Sequence, residues 1–163
     1  MFGFLKKKKG LEIQAVADGN IMPITEVNDD VFSTKMLGDG YAIKPSDGKI
    51  FSPVDGTIST LFPTKHAIGV KTKEGLEILI HLGIDTVELK GAPFEVKIQQ
   101  GDDVVAGQQL ATMDLKQITD SGRDDSAIVV YTNMDLIDSL DPAAVADAPV
   151  SHGDKVQTIH FKK

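Results

Sequence analysis

Gly and Pro punctuate this chain so often that most of the pieces between them are too short for anything but strands. Fifteen Gly and seven Pro are spread over 163 residues, and the intervening segments are rich in Val, Ile, Thr and Phe. That is the pattern of an all-β protein, a sandwich or a barrel. Strands are predicted over Glu12–Ala17, Tyr41–Lys44, Thr57–Phe62, His66–Thr72, Leu76–Leu82, Phe94–Ile98, Gln109–Met113, Ala127–Thr132 and Val156–Phe161. Two segments break the pattern. Asp114 is placed to cap a short helix over Leu115–Ser121, with Gln117 reaching back to the cap and Gly122 as the stop. Asn133 is placed to cap a second one over Met134–Leu140, ended by Asp141-Pro142.

The chain also echoes itself. Ala15-Val16-Ala17-Asp18-Gly19-Asn20-Ile21 lies over Ser52-Pro53-Val54-Asp55-Gly56-Thr57-Ile58, and Gly101-Asp102-Asp103-Val104 lies over Gly153-Asp154-Lys155-Val156. Tight turns alone favour Asp-Gly, but two matched pairs point to a duplicated turn-and-strand motif. Residues 1–10 read as a flexible tail and 11–163 as one domain, with a surface loop over Asp141–Ser151.

Composition closes off several classes of chemistry. Cys is absent, which excludes disulfide scaffolds, thiolate metal sites and cysteine nucleophiles. The net charge is -7, and the single basic cluster, Lys6 to Lys9, is no nucleic-acid footprint. No apolar run approaches the ~20 residues that span a bilayer. The charges of the first ten residues follow their apolar part, the reverse of a signal peptide. A soluble, cytoplasmic, monomeric protein is expected, with Met1 to Lys9 suited at most to weak contact with an anionic membrane surface.

Four His remain as candidates for nucleophilic or metal chemistry at neutral pH. His81 ends an apolar strand and His66 begins the strand before it, with Lys73-Glu74-Gly75 as the hairpin turn between them. A two-residue loop of Lys73-Glu74 places His66 directly opposite His81. A three-residue loop puts the two on opposite faces unless a bulge at Gly69 restores the register. Two facing imidazoles with no carboxylate between them suit a metal or a phosphoryl group, one ring attacking while the other donates a hydrogen bond. His152 and His160 lack such partners and carry no special role.

The run His81-Leu82-Gly83-Ile84-Asp85-Thr86-Val87-Glu88-Leu89-Lys90-Gly91, with Phe94 beyond it, closely resembles the active-site signature of the glucose-type IIA proteins of the bacterial sugar phosphotransferase system. The likeness extends to Val31-Phe32, Gly38 to Pro45, Pro53 to Ile58, Thr64 to Ala67 and Asn133-Met134-Asp135, and so covers nearly everything from Leu11 onward. It implies an antiparallel β-sandwich with an internally duplicated motif. It also implies a phosphocarrier that takes a phosphoryl group from HPr and passes it to a sugar-specific IIB domain for sugar uptake, with no required cofactor; the sequence leaves open whether it has regulatory targets besides. His81 matches the phosphorylated residue, His66 the second active-site histidine and Thr64 the hydroxyl that orients it. Val31, Phe32, Met36, Leu37, Phe62, Leu79 and Val87 match an apolar docking ring, and Asp29 and Asp85 match acidic groups that meet a basic partner. Phe32, Met36 and Leu37 are expected to be exposed, Ile78 and Ile80 buried. Asp30 and Leu79 depart from the family's usual apolar and aromatic choices.

Two other readings fit less well. A zinc peptidase of related β architecture needs a His-x-His pair and a third ligand, which neither His66 nor His81 supplies; the resemblance implies that His66 and His81 can help bind zinc only where a partner supplies another ligand. A biotinyl or lipoyl carrier would modify Lys116, which falls in the capped helical segment instead of at a hairpin tip.

Overall fold

The structure, a computed structural model, describes residues 10–141 and 148–163. The tail expected over 1–10 lies, apart from Gly10, outside the described residues, as does most of the loop expected over Asp141–Ser151. The strands are β1 (Leu11–Gln14), β2 (Gly19–Pro23), β3 (Gly40–Pro45), β4 (Lys49–Phe51), β5 (Gly56–Leu61), β6 (Ala67–Lys71) and β7 (Glu77–Leu82). They continue with β8 (Phe94–Val96), β9 (Asp103–Val104), β10 (Gln109–Met113), β11 (Ala127–Tyr131), β12 (Ile137–Asp141), β13 (Ala148–Val150) and β14 (Lys155–Phe161). Two short helices, α1 (Asp30–Ser33) and α2 (Leu115–Asp120), complete the regular structure together with single 3-10 turns.

An eight-stranded sheet, ordered β13-β2-β3-β11-β7-β6-β5-β9, faces two three-stranded sheets, β1-β14-β12 and β4-β10-β8. Their pairings are antiparallel. Alternation along β11 sends Ala127, Val129 and Tyr131 into the main core and Ile128 and Val130 into a smaller cluster on the opposite face. The main core joins Ile13, Ile50, Ile80, Leu110 and Ile159 from all three sheets. Two buried phenols keep it polar-satisfied: Tyr41 donates to the Gln14 carbonyl at 2.7 Å and Tyr131 to the Gln157 amide oxygen at 2.5 Å.

The strand order reads the same from both ends, which is the duplication made visible, and its pseudo-dyad passes between β7 and β11. The first echo survives in detail. Asp18 accepts from the His152 backbone N–H at 2.8 Å just as Asp55 accepts from that of Ala106 at 2.8 Å. The Gly153 N–H bonds the Ala15 carbonyl just as that of Gly107 bonds Ser52. The symmetry mate of Gly153 is therefore Gly107, which corrects the expected pairing with Gly101. Gly101-Asp102 resembles Gly153-Asp154 because each Asp carboxylate accepts from the N–H three residues back, at 2.9 Å. Turn chemistry recurs without symmetry.

The helix at Leu115 forms as expected: the Asp114 carboxylate accepts from the Gln117 N–H at 3.0 Å, and Gly122 at φ +83° ends it. The second expected helix does not form. A 3-10 turn over Met134–Leu136 runs straight into β12, which pairs with β14. Asn133 does not cap it, because its side chain is committed across the fold, accepting from the Glu77 N–H and donating to the Gly75 carbonyl, each at 2.8 Å.

Candidate phosphoryl-transfer site

The hairpin that carries both histidines turns on three residues. Lys73, Glu74 and Gly75 lie between Thr72 and Leu76, whose backbones bond at 3.0 Å, with Gly75 at φ +96°. The register therefore sets Ala67, and not His66, opposite His81, and it runs unbroken past Gly69. The bulge near Gly69 belongs to the neighbouring pair, β5 with β6. His66 reaches the site another way. β6 begins only at Ala67, and the chain before it turns through Pro63 to His66 with Lys65 at φ +59°. Freed from strand alternation, His66 keeps its carbonyl on the Leu82 N–H at 2.7 Å. Its ring stands edge-on to that of His81, with centroids 5.2 Å apart at 78°.

Each ring is oriented by one hydrogen bond. His81 Nδ1 lies 2.7 Å from the Gly83 carbonyl oxygen. A carbonyl only accepts, so Nδ1 carries the proton and Nε2 keeps its lone pair. Thr64 Oγ1 lies 2.6 Å from His66 Nδ1. Burial lowers the pKa of both imidazoles; for His81 the Gly83 hydrogen bond and the charges of Asp29 and Asp85 act in the opposite direction, while His66 adds to the lowering. Both rings are thus neutral near pH 7, as a nitrogen nucleophile requires.

Gly83 is the residue whose role the sequence did not single out, although it stands two positions after His81. At φ +81°, its N–H bonds the Ser126 carbonyl at 2.8 Å while its own carbonyl meets His81. A Cβ there would overlap the Thr86 methyl and come within 2.9 Å of the Asp124 carbonyl.

Of the apolar residues expected to surround the histidines, Val31, Met36, Leu37, Phe62 and Val87 are exposed, Met36 the most at 72%. Leu79 is half-buried against the smaller cluster. Phe32 is only 6% exposed and corrects the expectation of an exposed ring. Asp29 caps α1 by accepting from the Val31 N–H at 2.9 Å, and this tucks Phe32 under His81, centroids 5.0 Å apart. Phe62 meets His66 edge-on at 5.3 Å. Ile78 and Ile80 are buried as expected.

The remaining histidines stay apart from this site. His152 stacks on Phe51 at 3.7 Å and bonds Asp18, and His160 bonds Asp141. Among the described residues no group of three or more His, Asp or Glu is set to hold a metal ion. Lys116 lies on α2, paired with Asp120 at 2.6 Å. No helix of the described residues is long and apolar enough to cross a membrane.

Comparison with known proteins gives the family and the fold. The family model for the phosphoenolpyruvate-dependent sugar phosphotransferase system, EIIA 1, matches residues 11–137. The glucose-specific EIICBA component of Streptococcus pneumoniae serotype 4 is 50% identical over 129 residues; the match covers 79% of this chain but only 18% of that longer protein. The glucose-specific EIIA component of Staphylococcus epidermidis is 39% identical over 141 residues, covering 86% of this chain and 85% of the relative. The solved glucose permease IIA from Mycoplasma capricolum superposes with a TM-score of 0.84 at 40% identity, over 97% of this chain and 99% of that one.

Proposed function

This chain belongs to the EIIA 1 family of the phosphoenolpyruvate-dependent sugar phosphotransferase system and is a phosphocarrier of that relay, and on that footing we propose that His81 Nε2 is the atom that carries the phosphoryl group between HPr and a IIB domain. The observation that supports this most directly is the Nδ1 contact with the Gly83 carbonyl, which leaves Nε2 as the free lone pair. In the forward step the Nε2 lone pair attacks phosphorus, a new P–N bond forms, and the electron pair of the old P–N bond returns to the donor's imidazole. The phosphorylated ring gains positive character, which the Gly83 carbonyl and the carboxylates of Asp29 and Asp85 favour.

His66 supplies the second group. With the Thr64 hydroxyl donating to its Nδ1, its proton sits on Nε2, where it donates to the phosphoryl oxygens without adding a fixed cation. A neutral donor stabilises the transferring group and still lets it leave. Val31, Met36, Leu37, Phe62 and Val87, with Asp29 and Asp85 at the rim, form the face on which partners dock. The relatives named glucose-specific make a glucose-type permease the first IIB domain to assay.

Incubation with phosphoenolpyruvate, the system's first enzyme and HPr, followed by mapping under conditions that preserve phosphohistidine, tests the assignment. Wild type is labelled on His81 and His81→Ala is not; full labelling of His81→Ala would overturn it. His66→Gln accepts phosphate but donates poorly to IIB, because an amide bonds the phosphoryl oxygens without sharing imidazole's proton. Equal slowing of both half-reactions would overturn that division.

A further inference from the structure

We propose that Arg123 is a positioning residue for phosphoryl transfer: it clamps the segment that follows His81 and so keeps the Gly83 carbonyl on the His81 Nδ1 proton. The inference rests on the reading of His81 given above. Arg123 is the one arginine in the chain, and its planar fork reaches three separate oxygens. Nε donates to the Asp85 carbonyl at 3.1 Å, Nη2 to the Glu88 carboxylate at 2.8 Å and Nη1 to the Ser121 carbonyl at 3.3 Å. A lysine ammonium, a single point charge on a flexible stem, cannot span the same set.

What fixes Arg123 is the end of α2. Gly122 turns left-handed, its N–H bonds the Thr119 carbonyl at 3.0 Å, and the Arg123 N–H bonds the carbonyl of buried Ile118 at 3.2 Å. The capped helix is thus a pedestal for the guanidinium. The residues just after Arg123 carry the other half of the arrangement. The Asp124 carbonyl accepts from the Ile84 N–H at 2.9 Å and the Ser126 carbonyl from the Gly83 N–H at 2.8 Å. Asp125 is tied to Lys44 on β3.

The clamped segment needs holding. Asp85 sits at φ +60° and Lys90 at φ +56°, left-handed conformations that disfavour both residues, with a 3-10 turn over Thr86–Leu89 between them. Asp85 makes no capping bond with its own side chain. Its carbonyl is held from outside by Arg123, two residues after the carbonyl that orients His81. Val87, exposed on the docking face, lies between the two clamp points. Glu88 is 62% exposed, so the ion pair adds little stability by itself. The consequence of the clamp is geometric.

The full-length protein and its Arg123→Gln, Arg123→Lys and Lys116→Ala variants are compared by phosphorylation rate at saturating HPr and by nitrogen NMR of the His81 ring. Arg123→Gln slows His81 phosphorylation about tenfold and raises the fraction of the ring protonated at Nε2, because a shifted Gly83 carbonyl no longer selects Nδ1–H. Arg123→Lys, keeping the charge but not the fork, follows Gln, while Lys116→Ala follows wild type. An Arg123→Gln protein with wild-type tautomer balance overturns the proposal whether its rate is normal or falls only with its folded fraction. If Arg123→Gln does not fold, the tautomer signal of Arg123→Lys decides in the same way. Failure of the wild type to be labelled on His81 refutes the phosphocarrier site instead, and the tautomer comparison then still decides the clamp.

Discussion

Replacing Gly83 with Ala tests the site where backbone geometry and chemistry meet. A Cβ at this position overlaps the Thr86 methyl and lies 2.9 Å from the Asp124 carbonyl, on a residue at φ +81°. Thr86 cannot swing aside freely, because its hydroxyl donates to the Leu82 carbonyl at 2.5 Å in a fully buried position. Holding an L-residue in the left-handed region costs about 1–2 kcal/mol, and relieving the overlap about 1–3 kcal/mol more. The sum, about 2–5 kcal/mol, converts at roughly 2–4 °C per kcal/mol for a chain of this size to a melting temperature lowered by about 4–20 °C. Relief also moves the carbonyl off His81, so phosphate acceptance from HPr falls about tenfold or more at temperatures where the variant is folded. Thermal and urea unfolding measure the first effect and rapid-quench transfer the second. Adding Thr86→Ser removes the methyl and keeps the hydroxyl bond, so the double variant is more stable than Gly83→Ala alone. The reasoning is refuted if Gly83→Ala loses under about 1 kcal/mol, or if the double variant is no more stable than the single one.

Thr64→Val removes the hydroxyl 2.6 Å from His66 Nδ1, so donation to IIB slows while acceptance from HPr stays close to normal; rapid-quench rates for the two halves check the split. Because burial lowers the pKa of His66 and His81 from 6.5, the unfolded chain takes up these protons first as pH falls. Their contribution to stability is therefore full above the unfolded value and is lost as pH drops through the folded ones. Urea midpoints across this range show a slope that His66→Gln/His81→Gln reduces, and an unchanged slope would refute the linkage. Tyr131→Phe strips the buried Gln157 amide of its 2.5 Å partner, costing about 1–3 kcal/mol by urea unfolding without changing His81 labelling. Met36→Asp, at the most exposed of the apolar residues proposed above for docking, raises the KM for HPr about tenfold with the melting temperature unchanged, and an unaltered KM would remove Met36 from the proposed interface.

Wherever a feature depends on contacts within a few residues, the sequence was a sufficient guide. The cap and stop of α2 at Asp114 and Gly122 bond within four residues of themselves, and the alternation of Ile78, Ile80 and Leu82 against Glu77, Leu79 and His81 needs only the pleat to place it. His81 stood out because it is a polar ring in an apolar strand and opens a contiguous signature, whereas Thr64 and His66 lie outside both and were picked out by a second, separate stretch of the family likeness. The tertiary structure decided what depends on partners far along the chain. Residues 137–141 became a strand because β14 offers an edge to pair with and Asn133 is taken by Glu77 and Gly75. Phe32 became core because α1, capped by Asp29, folds over the His81 face. The histidines meet although the hairpin register sets them one residue out of step, since His66 leaves the strand at the Lys65 turn. A one-residue difference in loop length flips a side chain to the other face of a sheet, and no local pattern encodes which backbone will bend to bring it back.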